Sequence, residues 1–84
     1  MKHAVTSRFQ RCLRNLPAPL QELANKNLSL LRADPRHPSL HFKKIGKFRS
    51  LRIGLSHRAL AFEADGDCLW FWIGDHAEYE RMLR

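Results

Sequence analysis

Cys68-Leu69-Trp70-Phe71-Trp72-Ile73-Gly74-Asp75-His76-Ala77-Glu78-Tyr79 decides how the rest of the chain is read. Six apolar residues run without a break and then stop at a polar cluster. A short apolar run bounded by turn residues reads as a strand. Because it does not alternate, both of its faces should be covered, which makes it the expected central strand. Asp75 and Glu78 have the spacing of a helix N-cap and its reciprocal partner three residues on. His76 then falls in the first turn of a short helix, with Tyr79 on the same side. The polar end of this strand is where chemistry is expected.

Working outward, Asp65-Gly66 is the strongest turn signal in the chain and predicts a hairpin into the preceding strand, Arg58 to Phe62. Leu51, Ile53 and Leu55 alternate with Arg52, Gly54 and Ser56, as in a half-buried strand. Leu40 and Phe42 alternate with His41 and Lys43, and Gly46-Lys47 reads as a turn. Four antiparallel strands in a meander follow from these signals. Upstream, Thr6 is a suitable N-cap, and Phe9, Cys12, Leu13 and Leu16 keep the spacing of a one-sided helix. Leu16-Pro17-Ala18-Pro19 breaks it, with Pro19 suited to the first position of the next helix. That helix carries Leu20, Leu23, Ala24, Leu28 and Leu31 and ends at Asp34-Pro35. The expected fold is α+β: a single domain over 1–84, with an N-terminal helical hairpin on a four-stranded antiparallel sheet and a short C-terminal helix.

The chain has 84 residues and a formal net charge of +7, with fifteen Lys and Arg against eight acids. That imbalance favours a polyanionic partner, either nucleic acid or an acidic protein segment. No apolar run approaches the roughly 20 residues of a membrane span, so no membrane partner is expected. Met1-Lys2-His3-Ala4-Val5-Thr6 lacks a signal-peptide core, which implies a cytoplasmic location, with Cys12 and Cys68 as reduced, buried thiols. No Gly-rich phosphate loop, Ser-His-Asp set or Cys/His metal spacing is present, and no metal or cofactor is expected.

Leu16-Pro17, the leucine-rich helix, Asp34-Pro35-Arg36-His37-Pro38-Ser39-Leu40-His41-Phe42-Lys43-Lys44, Leu51-Arg52-Ile53, His57-Arg58-Ala59-Leu60 and Trp72-Ile73-Gly74-Asp75-His76-Ala77-Glu78-Tyr79 occur in an order that resembles the RelE/ParE superfamily, in its ParE-like branch. Its members are toxins of bacterial type II toxin–antitoxin systems. The chain departs from the pattern in two places. Lys2-His3-Ala4-Val5 is barely long enough for the opening strand of the family, and Asp75-His76 stands where many members carry an arginine. The resemblance implies either metal-free cleavage of ribosome-bound mRNA or, as in ParE-type toxins, inhibition of DNA gyrase without catalytic residues. A decayed toxin that only binds its antitoxin is a third option. An acidic cognate antitoxin is the implied partner in all three.

Metal-free RNA cleavage needs a base for the 2′-hydroxyl, an acid for the leaving 5′-oxygen and cations for the charge building on phosphate. His76 is the expected acid or base, and its place at a helix N-terminus also favours a phosphate. Arg58 corresponds to the family's phosphate-binding arginine. Arg52 points away from the Leu51-Ile53-Leu55 side and contacts phosphate if that face meets substrate. Tyr79 either orients the substrate or packs into the core with Met82 and Leu83. Lys43, Lys44, Lys47 and Arg49 form a basic run that would bind RNA backbone. His37, His41 and His57 have no evident helper and read as bystanders.

Overall fold

The computed structural model describes residues 1–84. In chain order it contains β1 (His3–Val5), α1 (Ser7–Arg14), α2 (Ala18–Ala33), a 3-10 turn (Pro38–Leu40), β2 (Lys43–Ile45), β3 (Phe48–Ile53), β4 (His57–Ala64), β5 (Asp67–Asp75) and α3 (His76–Met82). The strands form one five-stranded sheet in the order β1-β5-β4-β3-β2. The four-stranded antiparallel expectation is therefore corrected to a mixed sheet. β2 to β5 are the expected meander, and β1 adds a parallel strand on the outer side of β5. Its short register, His3 to Cys68 through Val5 to Trp70, is extended by bonds from the Cys68 amide to the Lys2 carbonyl and from the Thr6 amide to the Trp70 carbonyl. Consequently β5 has a neighbour on each side, while β4 takes the middle of the sheet.

The unbroken apolar run of β5 has a specific cause. Register shifts between Leu60 and Ala61, so that Leu60 pairs with Trp72 and Ala61 with Trp70, leaving Phe71 as the extra residue of a bulge. Cys68, Trp70 and Ile73 join Leu51, Ile53, Ala59 and Ala61 under Phe9, Ala24, Leu28 and Leu31 of the two helices. Phe71 and Trp72 fall in a second cluster with Leu60 and Tyr79. From Trp70 to Ile73 both faces of the strand are buried, each by different residues, while Leu69 stays exposed.

The helix ends follow their local chemistry. Thr6 Oγ1 accepts from the Phe9 amide at 3.0 Å, and Asp34 caps α2 at its C-terminus. Pro19 occupies the second position of α2 rather than the first, because Pro17 serves as the cap. Two strand boundaries differ from expectation. Leu40 lies in the 3-10 turn, where the His37 ring accepts from the Ser39 amide, and the strand starts only at Lys43. β3 ends at Ile53, because Gly54 turns the chain at φ +63° and Asn27 binds the Arg52 carbonyl at 3.0 Å. Leu55, the expected third apolar residue of that strand, is 86% exposed in the turn.

His3 fastens β1. Its Nδ1 accepts from the Trp70 indole at 3.1 Å, its ring stacks on Trp70, and Arg32 donates to its carbonyl at 3.2 Å. Burial, and secondarily the Arg32 charge, hold its pKa below the ordinary histidine value. A histidine kept neutral on folding contributes stability that is complete above its unfolded pKa and is lost as pH falls through the lowered folded one. The thermal midpoint of the wild type should therefore fall below about pH 6.5 relative to His3→Asn, which keeps an acceptor but does not titrate. Parallel pH curves for the two proteins would contradict this.

Candidate active site

One face of the sheet is filled by α1 and α2. The other is covered only in part, by Tyr79, Met82 and Leu83 at the α3 end over Leu60 and Trp72. With Leu51 and Ile53 in the helix-side core, alternation sends Arg52 to this second face, as expected. Arg52 pairs across the ladder with Arg58, and Arg58 with Gly74. Two guanidinium groups thus stand in one row beside a residue with no side chain. A Cβ at Gly74 would collide with the Trp72 ring, so the glycine lets the indole lie over the strand beside Arg58.

Neither arginine meets a carboxylate. The ion pairs of the chain are Arg49–Glu63 and His76–Glu80. Arg58 instead donates to the His57 carbonyl at 2.8 Å, and Arg52 Nε donates to the Gly54 carbonyl at 3.0 Å. A guanidinium has five N–H donors, so most remain for an anion. Like charges directly opposite on paired strands destabilise a sheet. Arg58→Gln is expected to raise stability by about 0.5 kcal/mol in chemical denaturation. A loss of similar size would mean that the pair is already compensated within the fold.

His76 and Tyr79 enter from the end of β5. The Asp75 carboxylate accepts from the Glu78 amide at 2.8 Å, which is the forward half of the expected capping box. The His76 amide donates to the Ser56 carbonyl at 2.9 Å, which ties the first residue of α3 to the turn before Arg58. The imidazole is about half-exposed, its Nδ1 lies 3.4 Å from Glu80 Oε1, and its ring centroid is 5.7 Å from that of Tyr79. Glu80 lies on the Nδ1 side of the ring, and Nε2 has no partner within the chain. The Tyr79 ring is buried against Leu60, Phe71 and Trp72, so its packing role holds. Its hydroxyl is neither bonded within the chain nor sealed from solvent.

The basic run divides. Lys43 pairs with Ser50 and shares the Arg52 face, whereas Lys44 and Arg49 alternate to the helix side. Arg49 is committed there: it donates to both oxygens of Glu63, at 2.8 and 3.2 Å, and lies over Phe42. That hydrogen-bonded pair raises the Arg49 pKa and lowers that of Glu63. Lys47 lies over the Phe48 ring at the turn. Among the supposed bystanders, His37 binds Ser39 and His57 binds Ser56, but His41 Nε2 stands 3.1 Å from Arg52 Nη1. Nothing in the sequence pattern around His41 signals that contact. Burial pushes the Cys68 thiol pKa up, the condition of an unreactive core cysteine.

Neither the family models nor the curated proteins with which the sequence was compared match it. Solved structures do match it. The RelB–RelE antitoxin–toxin complex from Methanococcus jannaschii aligns with TM-score 0.74 at 10% identity, over 96% of this chain and 99% of that one. YafQ from E. coli aligns with TM-score 0.68 at 10% identity, over 93% and 96%. The isolated E. coli RelE toxin aligns with TM-score 0.63 at 14% identity, over 96% and 94%. The chain therefore has the fold of these RelE-type toxins from end to end.

Proposed function

We propose that this chain, sharing the RelE toxin fold, is itself a toxin that cleaves ribosome-bound mRNA without a metal ion. The observation that supports this most is the Arg52–Arg58 row, two arginines directly opposite on paired strands and neither in an ion pair. Such a row gains from a phosphate what it lacks within the chain. His76 Nε2 takes the proton of the 2′-hydroxyl, and the 2′-oxygen attacks the adjacent phosphorus. Arg52 and Arg58 hold the non-bridging oxygens as negative charge grows on them. The P–O5′ bond breaks, the leaving 5′-oxygen takes a proton from solvent while His76 returns its own to solvent, and a 2′,3′-cyclic phosphate remains. The Tyr79 hydroxyl, on the rim beside His76, orients the substrate. Lys43 extends the cationic face along the RNA backbone.

The partner that silences this activity is an acidic antitoxin drawn to a surface with a net charge of +7. The M. jannaschii neighbour was solved as an antitoxin–toxin complex. The decisive experiment incubates the purified chain, stripped of metal beforehand, with mRNA-programmed ribosomes. Cleavage leaving a cyclic phosphate end is expected. Intact mRNA together with blocked DNA gyrase supercoiling would replace this reading with the gyrase one. Intact mRNA and normal supercoiling would leave only antitoxin binding.

A further inference from the structure

We infer that His41 is a positioning residue for Arg52, holding its guanidinium in the orientation in which it meets a phosphate of single-stranded RNA. The inference rests on the reading of Arg52 as a phosphate contact. Arginine is always a donor, so the contact of 3.1 Å between Arg52 Nη1 and His41 Nε2 makes the imidazole nitrogen the acceptor. His41 is then neutral, with its proton on Nδ1. Together with the Nε bond to the Gly54 carbonyl, this anchors Arg52 at two points of its planar fork. The opposing guanidinium of Arg58, one strand away, would otherwise drive a free Arg52 side chain toward solvent. The remaining N–H groups of Arg52 are left for an anion.

The 3-10 turn sets the backbone at His41. His41 adopts φ 44°, ψ 44°, and the only other non-glycine residue at positive φ is Asp65. Asp65 belongs to the Asp65-Gly66 hairpin turn, whose type requires that conformation. His41 takes its angle as the C-cap of the Pro38–Leu40 3-10 turn, where a left-handed residue is ordinary, and only the use of histidine rather than glycine or asparagine costs strain there. It is exposed and outside both apolar clusters, so packing does not account for it.

His41→Gly separates the two roles, because it relieves the backbone while removing the acceptor. The thermal midpoint should stay within about 4 °C of wild type. Affinity for a non-cleavable 2′-O-methyl oligoribonucleotide should fall about fivefold, the size of one charge-assisted hydrogen bond acting indirectly. His41→Gln, whose amide oxygen can accept from the guanidinium, should restore most of it. In an Arg52→Ala background, His41→Gly should have no further effect. Additive losses, failure of glutamine to rescue, or no oligonucleotide binding by the unsubstituted chain would each overturn the inference. Binding with this coupling, but without cleavage on ribosomes, would uphold His41 and remove the nuclease reading instead.

Discussion

His76→Ala is expected to lower cleavage of ribosome-bound mRNA by about 10²–10⁴-fold, the usual contribution of a positioned acid–base group. The fold should not notice the change. The imidazole is half-exposed, outside both apolar clusters, and touches only Glu80 and the edge of Tyr79. The bond that pins α3 to the Ser56 carbonyl comes from the His76 backbone and survives the substitution. Alanine is also the better helix former. A loss of rate with an unchanged melting curve therefore reports chemistry. Single-turnover cleavage measures it directly, and translation after induced expression measures it in cells. Equal arrest by wild type and variant would move the chemistry to Arg58 and Arg52, or the target to gyrase.

Trp70→Ala is expected to cost about 3–5 kcal/mol, the range for removing a large aromatic side chain from a core. A domain of this size is stable by only about 5–10 kcal/mol, so the loss removes from about a third to nearly all of that margin. Trp70 is fully buried and sits where three elements meet. Its strand position pairs with Val5 of β1 and Ala61 of β4, its ring packs against Phe42, and its indole nitrogen binds His3. Deleting it opens a cavity and also frees the His3 ring, so β1 should detach along with it. Chemical denaturation gives the first effect, and amide exchange at Ala4 and Val5 gives the second. Phe62→Ala is the control: Phe62 is 43% exposed, and its loss should cost about 1 kcal/mol or less. A Trp70 effect no larger than that of Phe62 would mean that the helix-side core collapses around the gap.

What the sequence revealed follows the range over which its signals act. The caps at Thr6 and Asp75, the Asp65-Gly66 turn and the stop at Asp34-Pro35 are governed by residues within four positions of one another, and all stand in the structure. β1 was the weak point, because its partner lies 65 residues downstream and a parallel pair has no turn to announce it. Leu55 misled because its spacing was right while Gly54, one residue earlier, had already left the strand. In the site, alternation alone placed Arg52 on the correct face. Facing it with Arg58 required the register, and placing His41 on it required an unusual backbone angle. Arg49 shows the reverse: one step of alternation put it beside Glu63, outside the site that its neighbours suggested.

The position of β5 between β1 and β4 sets a schedule for biosynthesis. Translation makes β1 first and β5 after every other strand, so β1 has nothing to pair with until nearly the whole chain exists. Before that point the nascent polypeptide holds at most the β2–β4 hairpins with an open edge on β4. Trp72, whose ring lies over Gly74 beside Arg58, and α3, which carries His76, arrive later still. The surface that carries Arg58, Gly74 and His76 is thus assembled only when the last strand and helix have emerged. The same order leaves that bare β4 edge as the natural place for a chaperone, or for a misplaced strand, to bind.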